Sequence, residues 1–289
     1  MSHSYLITGA SSGFGMHIAI KALKAGHKVV GTARNVESAA KRYPELEHTG
    51  GHWIKLDVTD PGTQDEVSQI VADHHVNVLI NCAGYGILGS LEDMSEAEFQ
   101  KQMDTNVTGT VRCIKGALPH FRSLQDKGGS TIVNVSSVAG YRGGASATAY
   151  AASKFAIEGL SEALAPEVGP FGIRVLSVAP GTFRTNFLTD FPRPDAGLGA
   201  AYADGPVAAA LARFESMDGK QPGDPAKAAD RIIELIDVND MGAQFRERGH
   251  GTVFRVLLGK DCHAAVIAKS QQVQEDIESI REVALSTDF

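Results

Sequence analysis

The sequence predicts an α/β protein in which about seven short strands form one parallel, doubly wound sheet with helices on both faces. Three observations predict it. Apolar runs of four to six residues recur along the chain, and they are apolar throughout, as strands buried on both faces are. Segments with helical apolar spacing separate them, the alternation expected of a parallel sheet. A glycine-rich link, Thr8-Gly9-Ala10-Ser11-Ser12-Gly13-Phe14-Gly15, joins the first run to the first helical segment.

Residues 5–8 make the first strand. Residues 15–25 carry apolar side chains at helical spacing, and Gly26 stops that helix. Residues 28–32 are the second strand, and a short helix over 36–42 ends before Pro44. The third strand, 53–56, closes with Asp57-Val58, and Asp60-Pro61 is the start signal for a helix over 63–74. The fourth strand, 78–80, runs into Asn81-Cys82-Ala83-Gly84. A long helix spans 95–121, opened by Ser95 and Glu98 as a capping box. Residues 131–135 are the fifth strand and 149–168 a second long helix. The sixth strand, 174–178, ends at Pro180-Gly181, and 253–258 is the seventh. The stretch 189–206, rich in Pro, Gly and Asp, reads as an irregular loop, with a helix near 207–217 in the same excursion. No linker splits the chain, so one domain covers 1–289, with a substrate lid at about 186–220.

Composition narrows the function. The 289 residues suffice for a buried core, and a net charge of −7 argues against nucleic acid, whose phosphates favour a basic surface. No apolar run reaches the length of a membrane span, and the N-terminus does not read as a secretory signal. Cys82, Cys113 and Cys262 are too scattered for a zinc site or a disulfide framework, which fits a reducing compartment, the cytoplasm. His17, His74, His75 and His263 are not spaced with other ligands, so no metal is expected.

Gly9, Gly13 and Gly15 let a backbone approach a pyrophosphate, and the following helix N-terminus offers free N–H groups. Ser11 and Ser12 add hydroxyls, and Phe14 lies inside the turn. The second strand ends Gly31-Thr32-Ala33-Arg34 with no acid at its tip. A ribose 2′-hydroxyl favours Asp or Glu there, and a 2′-phosphate favours Arg, so Arg34 predicts NADP(H) over NAD(H). Asp57 is placed to accept from the adenine amino group, or to cap the loop ahead. Asn81 ends the fourth strand, and Ala83-Gly84 leaves room for the ribose.

Tyr150 and Lys154 share one helix face, one turn apart. Lowering a tyrosine pKa from about 10 to about 7 takes roughly 4 kcal/mol. One cation at about 4 Å supplies that order at an effective dielectric of about 20. Lys154 together with an oxidised nicotinamide is the expected source. Ser137 ends the fifth strand, at the carboxyl edge where ligands bind in such sheets. These residues describe hydride transfer to a carbonyl carbon, with Tyr150 giving the proton to oxygen.

Together these residues resemble the classical short-chain dehydrogenase/reductase family, from Tyr5 to about Thr185. The resemblance implies a Rossmann-like fold and a catalytic set of Asn106, Ser137, Tyr150 and Lys154, with Asn106 helping to hold a water that relays protons to Lys154. It identifies Asp57 with the adenine-side aspartate, and Thr182 and Thr185, after Pro180-Gly181, as groups near the carboxamide. Cys82 stands where the family's motif has a second asparagine. The resemblance also implies a homodimer or homotetramer joined by the helices carrying Asn106 and Tyr150, with Ala151, Ala152 and Ala156 allowing close approach.

The leading expectation is an NADPH-dependent carbonyl reductase or alcohol dehydrogenase. An epimerase, dehydratase or cyclase with bound NADP is the alternative within the same pocket, and a nucleotide-sensing module the alternative outside enzymes. Val138, Tyr141 and Arg142 are expected to wall the pocket, and Asn186, Phe187, Leu188 and Phe191 to form its lid.

Overall fold

The computed structural model describes residues 2–125, 129–189, 191–237 and 254–289. Seven strands form one sheet: β1 (Ser4–Ile7), β2 (Lys28–Ala33), β3 (His52–Lys55), β4 (Val78–Asn81), β5 (Ser130–Val135), β6 (Ile173–Pro180) and β7 (Arg255–Leu258). Their order is β3-β2-β1-β4-β5-β6-β7, and every pairing is parallel. The strand expected at 253–258 is therefore present, although Val253 lies outside the described residues.

Successive strand residues point to opposite faces, so each run feeds two cores. Tyr5 and Ile7 join one with Ile18, Val29 and Val133, while Leu6 joins the other with Val67, Leu79 and Ile132. Helices α1 (Gly13–Lys24) and α9 (Pro225–Asp237) cover the first face. The opposite face takes α4 (Thr63–Asp73), α6 (Gly109–Arg122) and α7 (Thr148–Val168). Gly26, at φ +85°, ends α1 as the sequence predicts.

The remaining helices are α2 (Val36–Arg42), α3 (Glu45–His48), α5 (Glu96–Met103), α8 (Pro206–Met217), α10 (Lys260–Ser279) and α11 (Arg281–Leu285). Ser95 and Glu98 form the predicted capping box ahead of α5. The single long helix expected over 95–121 is instead α5, a π segment at Asp104–Thr108, and α6. Such insertions mark functional positions in helices, and this one carries Asn106. Gly62, rather than Asp60, stands at the N-cap of α4, and Asp60 Oδ1 accepts from Gly62 N at 2.8 Å. Helices α9 and α10 have no counterpart in the sequence reading. Among the described residues, no helix is long and apolar enough to cross a membrane, and no cluster of His, Cys, Asp or Glu is placed to hold a metal ion.

Candidate functional site

Strand order reverses between β1 and β4, and the crevice beyond their carboxyl ends is where open parallel sheets bind ligands. The link from β1 to α1 turns through Gly9 at φ +65° and Gly13 at φ +52°, which favour glycine. A Cβ on Gly9 would lie 2.8 Å from Ala83 Cα, and one on Gly15 would lie 2.6 Å from Gly9 O. The turn is pressed against the exit of β4. The Thr8 hydroxyl fixes that exit by accepting from Cys82 N and Ala83 N, each at 3.1 Å. Ser12 precedes α1 in extended conformation without a side-chain capping bond, so the first helical N–H groups suit an anion. Ser11 is half-buried in the same turn.

Residues 181–185 run beside this turn. Phe183 meets Phe14 edge-on with centroids 5.1 Å apart, and Thr185 lies 3.8 Å from where a Gly13 Cβ would be. Pro180 closes β6, Gly181 N donates to Leu258 O, and Thr182 N donates to Asp261 Oδ2 at 2.7 Å.

Arg34 follows β2 directly and is exposed, and Asp57 lies two residues beyond β3. Asp57 Oδ1 accepts from Thr59 N at 3.0 Å and Thr59 Oγ1 at 2.8 Å, capping the loop ahead. Partial burial raises its pKa, but the two Thr59 bonds and the Arg34 charge outweigh it and hold the carboxyl below its usual range. Val58 packs beside Gly109, and its carbonyl accepts from Arg112 at 3.2 Å. Asn81 donates to Asn134 at 2.9 Å, and Asn134 donates to Ser161 at 2.9 Å, a buried chain tying β4 and β5 to α7.

The four residues of the expected catalytic set converge here. Ser137 leads a 3₁₀ turn at Val138–Gly140; its hydroxyl accepts from Ala139 N at 3.2 Å and hydrogen-bonds Tyr150. Tyr150 and Lys154 lie one turn apart on α7, with Lys154 Nζ 5.7 Å from the Tyr150 ring centroid and donating to Val135 O at 2.9 Å. Asn106 Nδ2 donates to Tyr85 O at 2.9 Å and to Ser153 Oγ at 3.0 Å, while its Oδ1 accepts from Tyr85 N at 3.1 Å. The Asn106 amide thus clamps the loop after β4 onto α7. A Cβ on Gly84 would lie 3.1 Å from Asn106 Oδ1 and 3.6 Å from Lys154 Nζ, so glycine leaves this meeting point open.

Burial dominates the electrostatics of the chain's own groups. Burial pushes Tyr150 up to about 12, Cys82 adds to that, and the bond with Ser137 opposes it. Burial brings Lys154 down to about 8, opposed by Cys82 and Glu158. The Lys154 ammonium turns to the Val135 carbonyl, and the expected lowering of Tyr150 is one that Lys154 and an oxidised nicotinamide would supply together. Burial also pushes the Cys82 thiol up to about 11, against Lys154 and a bond from Gly15.

Phe187 stands over Tyr150 with centroids 5.2 Å apart. Gly86 permits this, since a Cβ there would lie 3.0 Å from Phe187 Cζ and 3.1 Å from Tyr150 Cδ2. Leu88, Ala147 and Leu211 form an apolar cluster with Tyr150, Phe191, Leu198, Val207 and Phe214. Leu188 is buried, and Asn186 and Arg142 are exposed. Val138 and Tyr141 do not join this cluster: they pack with Ala179, Cys262 and Val266 under α10. Gly86 and Ser153, and the packing of the predicted helix α8 against Tyr150, went unread in the sequence. Ser153 was accessible as the i+3 neighbour of Tyr150, whereas α8 meets the site only through the fold.

Sheet order and glycine turn define a doubly wound, Rossmann-like α/β protein. The family model described as short chain dehydrogenase matches residues 4–195, and the chain belongs to that oxidoreductase family. Oxidoreductase claN of Passalora fulva is 48% identical over 195 residues, covering 67% of this chain and 88% of that protein. Bovine retinol dehydrogenase 8 is 32% identical over 243 residues, covering 79% of this chain and 77% of that protein. The crystal structure of a short-chain dehydrogenase from Streptomyces avermitilis aligns over 100% of both chains with a TM-score of 0.83 and 34% identity.

Proposed function

We propose that this protein is an NADP(H)-dependent carbonyl reductase, equally an alcohol dehydrogenase in reverse, acting on an apolar ketone, aldehyde or secondary alcohol. The observation that carries this is the meeting of Asn106 and Lys154 at Gly84, with Tyr150 one turn from Lys154 and hydrogen-bonded to Ser137, at the switch point that also holds the glycine turn. The turn fits a dinucleotide: Gly9, Ser11, Ser12, Gly13, Phe14 and Gly15 form the cradle, and α1 presents uncapped N–H groups. Asp57, Val58, Asn81, Ala83 and Gly84 line the adenosine side, and Pro180, Gly181, Thr182 and Thr185 the nicotinamide side. The cofactor supplies or accepts the hydride.

The chain's own residues manage the proton. Ser137 donates a hydrogen bond to the substrate oxygen, and Tyr150 gives it the proton. Lys154 holds the nearby ribose and electrostatically supports the phenol, and Asn106, clamped to Tyr85 and Ser153, helps hold a water that relays protons to Lys154. Phe187, Phe191 and Leu188 form an apolar lid within about 186–220 of one catalytic domain, which supports an apolar substrate, as does likeness to a protein named for retinol. Arg34 carries the NADP(H) preference, because no acid stands at the end of β2.

We also infer a cytoplasmic homo-oligomer. Cys82, Cys113 and Cys262 are free thiols. Ala152, Phe155 and Gly159 present an exposed, small-residue face of α7 around a Phe155 that is 46% exposed.

The test is turnover of NADPH and NADH against a panel of apolar aldehydes and ketones, in wild type and Arg34→Ala. NADPH should be preferred in wild type, and Arg34→Ala should lose roughly tenfold or more in NADPH kcat/KM with little change for NADH, as one exposed phosphate contact gives. Tight NADPH binding without turnover on any carbonyl would discard the reductase reading.

A further inference from the structure

Glu158 is a buried acid that the proposed chemistry does not use. It lies on α7 one turn beyond Lys154 and is 6% exposed. Its two oxygens accept from different elements: Oε2 from Tyr141 Oη at 2.9 Å, and Oε1 from Ser177 Oγ of β6 at 2.8 Å. Two hydroxyl donors, one to each oxygen, suit an ionised carboxylate, which only accepts. Such a charge is rarely buried without a compensating cation. Arg255, across on β7, pairs with Glu162 at 2.6 Å. Lys154, 7% exposed, is the buried cation on the same helix face.

We propose that Glu158 is a positioning residue for proton transfer: its carboxylate holds the Lys154 side chain in the ammonium form and ties the turn after Ser137 to α7. This rests on the reading that Tyr150 and Lys154 move the proton. The geometry gives Glu158 both tasks. Tyr141 follows directly on the 3₁₀ turn that Ser137 leads, so its bond to Glu158 joins that turn to the helix bearing Tyr150 and Lys154. Gly140 allows the close seat, since a Cβ there would lie 2.9 Å from Lys154 O and 3.0 Å from Glu158 Cγ.

Other groups face the pair. Tyr150 and Glu162 share α7, Cys82 approaches Lys154 from the end of β4, Cys262 approaches Glu158 from α10, and Arg255 acts on Tyr141 from β7. Burial pushes the Cys82 and Cys262 thiols up to about 11, so both stay neutral near pH 8. Glu158 is then the fixed negative charge nearest Lys154 along the helix.

The experiment titrates Lys154 directly, by NMR of the full chain with isotope-labelled lysine side chains, the resonance being assigned by its loss in Lys154→Met. Glu158→Gln keeps the shape and removes the charge, and the Lys154 midpoint should fall by about one pH unit or more, as loss of a nearby opposite charge does. Ser177→Ala removes a hydrogen bond and keeps the charge, and should leave the midpoint in place. Glu158→Met is the second charge-free replacement should Glu158→Gln not fold. The pH limit of reductive kcat should follow the same shift. An unmoved midpoint in the charge-free variant overturns the proposal. Absence of carbonyl turnover in wild type would sink the reductase reading alone, because the titration needs no substrate.

Discussion

The proton donor gives the sharpest prediction, through Tyr150→Phe. Burial holds Tyr150 at about 12. That is about five units above neutral pH, so ionising it there takes roughly 7 kcal/mol at about 1.4 per unit. At pH 7 the side chain is a phenol, with phenolate on the order of one part in 10⁵. As the protein stands, Tyr150 is therefore protonated at neutral pH, the form the proposed proton donor needs. Phenylalanine keeps the ring that stacks on Phe187 and removes only the hydroxyl. Reductive kcat should fall by about 10² to 10⁴, the usual contribution of a positioned acid, with KM little changed. The assay follows the loss of reduced-nicotinamide absorbance at saturating substrate, with NADPH affinity measured by fluorescence as a folding control. A variant that keeps more than about a tenth of wild-type kcat while binding NADPH normally would refute the assignment.

Lys154→Met should abolish turnover and should remove the pH dependence of stability that Lys154 titration gives the wild type. Lys154 titrates at about 8 when folded against about 10.4 when unfolded, so the native state binds fewer protons between those values. Wild-type stability should therefore rise from about pH 8 toward about pH 10.4 relative to the variant, as read by calorimetry. Gly84→Ala sets a methyl 3.1 Å from Asn106 Oδ1 and 3.6 Å from Lys154 Nζ. It should cost tenfold or more in kcat with little loss of Tm, whereas equal losses of both would point to a structural role. Phe155→Glu puts a charge on the exposed face of α7 and should convert an oligomer to monomer by light scattering, with the circular dichroism unchanged.

Much of the fold was legible because its determinants are local. Apolar runs such as Leu6-Ile7 and Ile132-Val133 mark buried strands by composition alone, and Gly26 ends a helix wherever the chain carries it. The capping box at Ser95 and Glu98 depends on residues three apart. The pairing of Tyr150 with Lys154 needs only helical spacing. The helix at Pro225–Asp237 was equally accessible, with buried apolar residues at 228, 229, 232, 233 and 236.

Sequence by itself determined the alternation of elements, the glycine turn and the reactive side chains, because each is set by a residue and its near neighbours. Tertiary structure alone decided what depends on residues far apart. It placed β4 beside β1, creating the switch point. It turned the Tyr141 hydroxyl toward Glu158, when the side chain read in isolation looked like a pocket wall. It inserted the π segment that brings Asn106 to Tyr85 and Ser153. It also set the charge states of Tyr150 and Lys154, because the cost of ionising a side chain depends on how much water the rest of the fold removes from it.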